Sequence, residues 1–121
     1  MPHITLEYSD NIPDQPHFPT LFAEMHQALV GLGDVEINDI KSRAFKLTDW
    51  YVGDGNPGHA FVHIKLYFIN RRTDEFKQRA LAAIQPIVVG SYPRALAECD
   101  CQLCFELVDI QGAYYAKFVS N

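Results

Sequence analysis

Long hydrophobic runs and an excess of basic residues are both missing from this sequence. No apolar stretch approaches the roughly 20 residues that a membrane-spanning helix needs, and the first residues do not resemble a secretion signal. Lysine and arginine number 10 against 15 acidic residues, a formal net charge of −5 that leaves no basic footprint for nucleic acid. We therefore expect a cytoplasmic protein that binds neither membranes nor nucleic acid.

Cysteine is scarce, and its three copies lie close together at Cys99, Cys101 and Cys104. An odd number of cysteines without a secretion signal argues against a disulfide framework. A zinc site would need a fourth ligand and a repeated two-residue gap, and the sequence has neither. Because residues three apart on a strand point to opposite faces, Cys101 and Cys104 would not meet. We expect buried, reduced thiols and no metal.

The histidines do not form a ligand set either. His59 and His63 are four residues apart, but on a strand that spacing separates them by about 13 Å. His3, His17 and His26 have no partner at a chelating distance in the sequence. Phosphate loops, Gly-rich dinucleotide turns and Ser-His-Asp sets cannot be picked out. We therefore interpret the five histidines as structural and expect no cofactor.

What the sequence does contain is a distinctive beginning. Pro2 follows Met1, and a small second residue permits aminopeptidases to remove the methionine. The remaining proline would carry a secondary amine that can be charged or neutral near pH 7. Residues Ile4 to Tyr8 alternate between apolar and polar as a strand does, which would hold that amine in place. The alternative is that Pro2 is only a permissive second residue.

Hydrophobic periodicity predicts an α/β (α+β) chain in the order strand, helix, strand, strand, helix, strand. A proline at the first helical position favours a helix from Pro19, and Thr73 can cap the second helix. Pro86 should kink or break that second helix, because proline removes a backbone donor. The predicted strands are His3 to Tyr8, Ile40 to about Trp50, His59 to Ile69 and Cys101 to Ile110.

This order describes a single domain over 1–121, built from two tandem βαβ units at about 1–56 and 57–111 with a C-terminal tail at 112–121. Right-handed crossovers place both helices on one face of a four-stranded mixed sheet. The other sheet face still carries apolar residues, and copies of the same chain are the simplest cover. The tail is too aromatic for a free end.

Three basic residues lie where a cation is unexpected. Lys41 and Arg43 alternate on the second strand and share a face. Arg72 precedes the second helix, at the end of the helix dipole that disfavours a cation. Each could be a solvated charge, but together with an amine at Pro2 they suggest an anion-binding site beside a base.

A set of short motifs runs from Met1 to about Ile110: Met1-Pro2-His3, Glu7, Ser9-Asp10-Asn11-Ile12, Ile40 to Arg43, Asp54-Gly55, Ala60-Phe61-Val62-His63, Arg72-Thr73-Asp74-Glu75 and Phe105-Glu106. In these motifs the sequence resembles the tautomerase superfamily and, within it, the 5-carboxymethyl-2-hydroxymuconate isomerases.

The resemblance implies a homotrimer, a general base at the N-terminal proline and cations that hold substrate carboxylates. By position, the base is Pro2 and the cations are Lys41, with Arg43 two residues on, and Arg72. Lys41 stands where an arginine is expected, so the bidentate carboxylate contact is lost or passes to Arg43. Pro86 and the short aromatic tail also differ from the isomerases.

We therefore expect a cofactor-independent isomerase that shifts a proton in a small carboxylated keto or enol acid. A non-catalytic trimeric binding module that kept the fold is one alternative. Another activity of the superfamily, such as dehalogenation or decarboxylation, is the second.

Overall fold

The computed structural model describes residues 1–69 and 71–120, so Asn121 of the predicted tail and Asn70 of the predicted domain lie outside the described residues. Two 3₁₀ turns, Ile37–Asp39 and Gly112–Tyr114, accompany the regular elements. The strands are β1 (His3–Ser9), β2 (Lys41–Leu47), β3 (His59–Ile69) and β4 (Asp100–Ile110), and the helices are α1 (Phe18–Val30), α2 (Asp74–Val89) and α3 (Pro93–Glu98).

The four strands form one mixed sheet in the order β2-β1-β3-β4. β1 pairs in parallel with β2, β3 pairs in parallel with β4, and β1 and β3 run antiparallel. This confirms two βαβ units with their helices on one face. The order makes β1 an inner strand, so the start of the chain is hydrogen-bonded on both sides.

The core lies between the sheet and the two long helices. Alternation along the strands places Ile4 and Leu6 of β1 on the helix face, the sheet side that packs against α1 and α2, where both are fully buried. Burying one such side chain is worth about 1.5–3 kcal/mol, so this face dominates the stability of the fold. The fully buried helix residues that meet it are Met25 and Leu29 of α1 and Ala80, Ile84 and Val88 of α2.

Helix α2 begins as the sequence predicts. The hydroxyl oxygen of Thr73 accepts a hydrogen bond from the backbone N–H of Phe76 at 3.1 Å, which satisfies one of the donors left free at a helix start. Asp74 and Glu75 add negative charge in the first turn, where the helix dipole favours it. The cap therefore fixes the direction in which the chain leaves β3.

The expected break at Pro86 is wrong, because α2 continues through Pro86 to Val89. Pro86 has no N–H to donate to the carbonyl of Ala82. Both residues are exposed, so water can donate a hydrogen bond to that carbonyl instead. The buried side chains of Ile84 and Val88 hold the helix on either side of the proline. Packing therefore outweighs the local cost of the proline.

Sequence analysis missed helix α3. Its start is capped from a distance, since the carboxylate of Asp14 accepts hydrogen bonds from the N–H groups of Arg94 and Ala95 at 2.9 and 2.7 Å. Asp14 lies 80 positions before Arg94. Tyr92, fully buried beside the helix start, anchors the segment. Local sequence cannot reveal a cap supplied from so far away.

The second sheet face, which we call the open face, carries both polar and apolar residues. From β1 it carries His3, Thr5 and Glu7, which lie beside Lys41 and Arg43 of β2. From β3 it carries Lys65 and Tyr67. Phe45 of β2, Phe61 of β3 and Val108 of β4 share this face, so it also carries the apolar residues that the sequence predicts. No helix in the described part of the chain is long and apolar enough to cross a membrane.

Candidate active site

Pro2 is fully buried at the start of β1. Its carbonyl accepts a hydrogen bond from the backbone N–H of Lys41 at 3.2 Å, which extends the β1–β2 pairing to the end of the chain. The Met1 side chain is only 4% exposed, while the residue as a whole is partly exposed. An amine at this position is therefore held in a fixed place.

A cavity of about 370 Å³ opens at this end of the sheet, and we call it the proline cavity. Pro2 and Arg72, two of the predicted site residues, both line it. Val35 and Ile69 supply apolar wall. Its remaining lining residues are Met1, Asp34, Glu36, Asp39, Arg71, Tyr115 and Lys117.

Arg72 is fixed by its neighbours. Its guanidinium lies 4.5 Å from the ring centre of Phe76 and 5.5 Å from that of Phe68, both within cation–π range. One terminal nitrogen donates a hydrogen bond to the backbone carbonyl of Asp34 at 2.8 Å. A guanidinium has five donor hydrogens, so others remain for an anion in the cavity.

Asp39 connects the N-terminal amine to the C-terminal tail. One carboxylate oxygen lies 3.4 Å from the amine of Met1, and the other accepts a hydrogen bond from the ammonium of Lys117 at 3.1 Å. The hydrogen bond from Lys117, with the amine nearby, lowers the pKa of Asp39. Burial is the main cause that lowers the pKa of the amine, and the charges of Lys41 and Lys117 add to it while Asp39 opposes it.

Lys41 and Arg43 do not line the proline cavity. They lie on the open face, as their predicted alternation requires, beside His3 of β1. Within the described residues, the ammonium of Lys41 and the Nε of Arg43 are buried and have no hydrogen-bond partner. A buried cation without a partner is costly, so this part of the open face is suited to an anion.

His3 joins Arg43 to the tail. Arginine can only donate, so Nδ1 of His3 must accept from Arg43 and Nε2 must carry the proton that is donated to the phenol oxygen of Tyr115 at 3.0 Å. Burial, followed by the charges of Arg43 and Lys41, lowers the pKa of His3. The neutral imidazole is therefore the form that fits this position.

Sequence analysis missed Asp39, Tyr115 and Lys117 as cavity residues. The aromatic content of the tail was the one signal available, and it is borne out only for Tyr115, which packs against the His3 ring. Tyr114 and Phe118 are exposed by 85% and 100%. No local pattern connects a carboxylate before β2 with a lysine near the chain end.

All five histidines have polar partners, which is consistent with the structural interpretation. His26 bonds to Ser42, His17 to Thr20, and His63 pairs with Glu106. The remaining two also have partners: His59 pairs with Asp54 and Asp100, and His3 bonds to Tyr115.

The prediction of reduced thiols is confirmed, and the prediction that all of them are buried is wrong. All three cysteines are free, and Cys101 and Cys104 lie on opposite faces of β4. Cys104 is exposed, because it faces away from the helices. It lines a second cavity of about 490 Å³, which contains none of the predicted site residues.

The chain is similar to known isomerases. The family model described as 5-carboxymethyl-2-hydroxymuconate isomerase matches residues 2–120. The 5-carboxymethyl-2-hydroxymuconate Delta-isomerase of Escherichia coli is 28% identical over 110 residues, which cover 91% of this chain and 87% of that protein.

Solved structures agree in fold. A 5-carboxymethyl-2-hydroxymuconate isomerase from Deinococcus radiodurans R1 superposes with a TM-score of 0.87 at 28% identity, over 97% of this chain and 88% of that chain. A fused 4-OT protein, described as a symmetric trimer, superposes with a TM-score of 0.69 at 18% identity, over 98% of this chain and 92% of that chain, and shows the fold alone. The present chain belongs to the 5-carboxymethyl-2-hydroxymuconate isomerase family and is an isomerase of the tautomerase superfamily.

Proposed function

We propose that this isomerase, once Met1 is removed, uses the secondary amine of Pro2 as a general base for a 1,3-proton shift in a small carboxylated keto or enol acid. The observation that carries the proposal is that Pro2 and Arg72 line one cavity at the end of an inner strand. A base and an anion-binding group are thereby held at the same place. Met1 lines this cavity, so its removal enlarges the space beside the base.

The chemistry requires a base that removes a proton from carbon and returns it at another carbon. Burial lowers the pKa of the Met1 amine at this end of the chain. The same surroundings would favour the neutral, proton-accepting form of a Pro2 amine near neutral pH. The electron pair of the broken C–H bond moves into the conjugated system as a dienolate, and the resulting ammonium then protonates the other carbon. Atoms and electrons balance without a cofactor.

Arg72 is proposed to hold a substrate carboxylate and to stabilise the negative charge of the dienolate. Its guanidinium is fixed by two aromatic rings and a carbonyl, so little reorganisation is needed when charge develops. Lys41 and Arg43 are proposed as further carboxylate-binding cations. They do not line the proline cavity of their own chain, so they would act at a site completed by a second copy.

A homotrimer is proposed as the assembly that brings these faces together. The ammonium of Lys41 and the Nε of Arg43 are buried without partners among the described residues, and Phe118 and Val119 are exposed by 100% and 71%. Assembly would supply an anion to the former and cover the latter. Light scattering should give three times the 13.7 kDa mass of the chain, and a stable monomer would contradict the proposal.

The experiment is a comparison of three N-termini. Mass spectrometry should find the purified protein without Met1. Pro2→Ala should lower turnover of an enol acid such as a phenylpyruvate-like substrate, because it replaces the secondary amine with a primary one. A chain with one residue added before Pro2 should lose nearly all activity, because an amide nitrogen is not basic.

Circular dichroism should confirm that all three proteins are folded. Full activity in the extended chain would remove Pro2 from the mechanism. Failure of every acid to react with a processed, folded protein would favour the non-catalytic binding module.

A further inference from the structure

We propose that Asp39 and Lys117 together set the protonation state of the N-terminal amine, so that the C-terminal tail tunes the base from the opposite end of the chain. Both are positioning residues in this proposal, since they act on the amine and not on the substrate. The inference rests on the proposed role of Pro2, but the charge arrangement can be measured without any turnover.

The geometry places one carboxylate between two cations. Oδ2 of Asp39 lies 3.4 Å from the amine of Met1, and Oδ1 lies 3.1 Å from the Lys117 ammonium. Removal of Met1 transfers the amine to Pro2, which lines the same cavity as Asp39 and Lys117. Because the amine moves by only one residue, the charge of Asp39 still acts on it, and Lys117 remains bound to that carboxylate.

The tail is held where Lys117 can reach. Tyr115, two residues earlier, bonds to His3 at 3.0 Å, and its ring packs edge-on against the imidazole. The turn Gly112–Tyr114 redirects the chain after β4 toward this contact. Lys117 is thus fixed near Asp39 by a contact that is independent of their ion pair.

Without Lys117, Asp39 would oppose the function of a base. A carboxylate within about 4–6 Å of an amine favours the charged ammonium, which cannot accept a proton. Lys117 binds the carboxylate and adds positive charge near the amine, and both effects favour the neutral form. Burial acts in the same direction.

Other charged residues of both signs also line the cavity and act on the protonation of the amine. Asp34 and Glu36 face it from the loop before β2, while Arg71 and Arg72 face it from the segment after β3. Arg72 is already bonded to a backbone carbonyl.

The neighbouring strands contribute Lys41 and His3. Lys41 adds positive charge near the amine, and His3 is occupied by Arg43 and Tyr115. Asp39 is the carboxylate in direct contact with the amine, which singles it out for substitution.

The test is a ¹⁵N-proline NMR titration of the N-terminal amine in the processed protein. Lys117→Met should raise the amine pKa by about half a unit, and Asp39→Asn should lower it, in line with partly exposed ion pairs. In the double variant, loss of Lys117 should have a smaller effect, because the carboxylate it binds is gone. Lys77→Met, which breaks the 2.8 Å pair between Lys77 and Asp109 away from the cavity, is the matched control and should not move the titration.

The pH dependence of kcat/KM separates this inference from the proposed function. If the amine pKa shifts and the acid limb of the kcat/KM profile shifts with it, this inference and the proposed role of Pro2 are both supported. If the amine pKa shifts and the profile does not, the tuning stands and Pro2 is not the base. An unchanged amine pKa in both single variants overturns the inference, and a raised KM in Lys117→Met with an unchanged amine pKa would make Lys117 a substrate contact instead.

Discussion

His3 donates a hydrogen bond to the phenol oxygen of Tyr115 at 3.0 Å, and this contact joins residues 112 positions apart. It connects the residue after the proposed base to the tail that carries Lys117. The proton on Nε2 is dictated by Arg43 on the other side of the ring, since the guanidinium can only donate to Nδ1. The open face and the tail are therefore coupled through one imidazole.

Tyr115→Phe is expected to loosen the tail without unfolding the sheet. The change removes the acceptor of the His3 proton, and one such hydrogen bond contributes about 0.5–1.5 kcal/mol. Amide hydrogen exchange should therefore accelerate at residues 112–120. Tyr114→Phe removes the same hydroxyl from a ring that is 85% exposed, and it should leave exchange unchanged. Equal exchange in both variants would mean that Tyr115 does not anchor the tail.

Arg72→Ala is expected to weaken capture of an acidic substrate. Loss of a charged hydrogen-bond donor typically costs about 1.5–3 kcal/mol, so KM should rise roughly 10- to 100-fold. The effect should be larger for a dicarboxylate than for a monocarboxylate. Arg79→Ala on the exposed side of α2 is the control and should leave the kinetics as they are. Unchanged kinetics of Arg72→Ala on every acid tried would contradict an anion site at this position.

His26 should make stability depend on pH. Its Nε2 lies 2.6 Å from the Ser42 hydroxyl between α1 and β2, and burial lowers its pKa. The unfolded chain then binds more protons than the folded one as pH falls through about 6.5, so the free energy of unfolding must fall with it. Urea unfolding at pH 7.5 and 5.5 should show this loss, and His26→Gln should reduce it.

The same substitution at His17, an exposed residue at the start of α1, is the comparison. It should retain the pH dependence of the wild type. A wild-type slope that survives His26→Gln in full would assign the effect to other groups, with His3 the first to test.

Local patterns predicted most of the fold because they report burial directly. The alternation around Ile4 and Leu6 identified β1, and Thr73 marked the start of α2. The failures share a physical cause, since α3 depends on the distant carboxylate of Asp14 and α2 passes Pro86 because packing outweighs one lost bond. Local sequence does not contain such long-range contacts.

The residues of the candidate site also divide into those that local sequence patterns revealed and those that depend on long-range contacts. Pro2 and Arg72 were identified from the start of a strand and the start of a helix, and the structure places both at the proline cavity. Lys41 and Arg43 were assigned to one face correctly, but neither residue lines the cavity. Asp39 and Lys117 meet only because the tail folds back, and no spacing rule predicts this contact.

The burial of Met1 has a consequence for how the protein matures. Its side chain is 4% exposed and its amine is paired with Asp39, while Pro2 behind it is fully buried. A peptidase has to draw the Met1 side chain out of this packing before it can cleave the bond to Pro2. Excision of Met1 is therefore expected to be faster from the unfolded nascent chain. Peptidase added to folded protein that kept Met1 should release methionine more slowly than it does from the denatured chain.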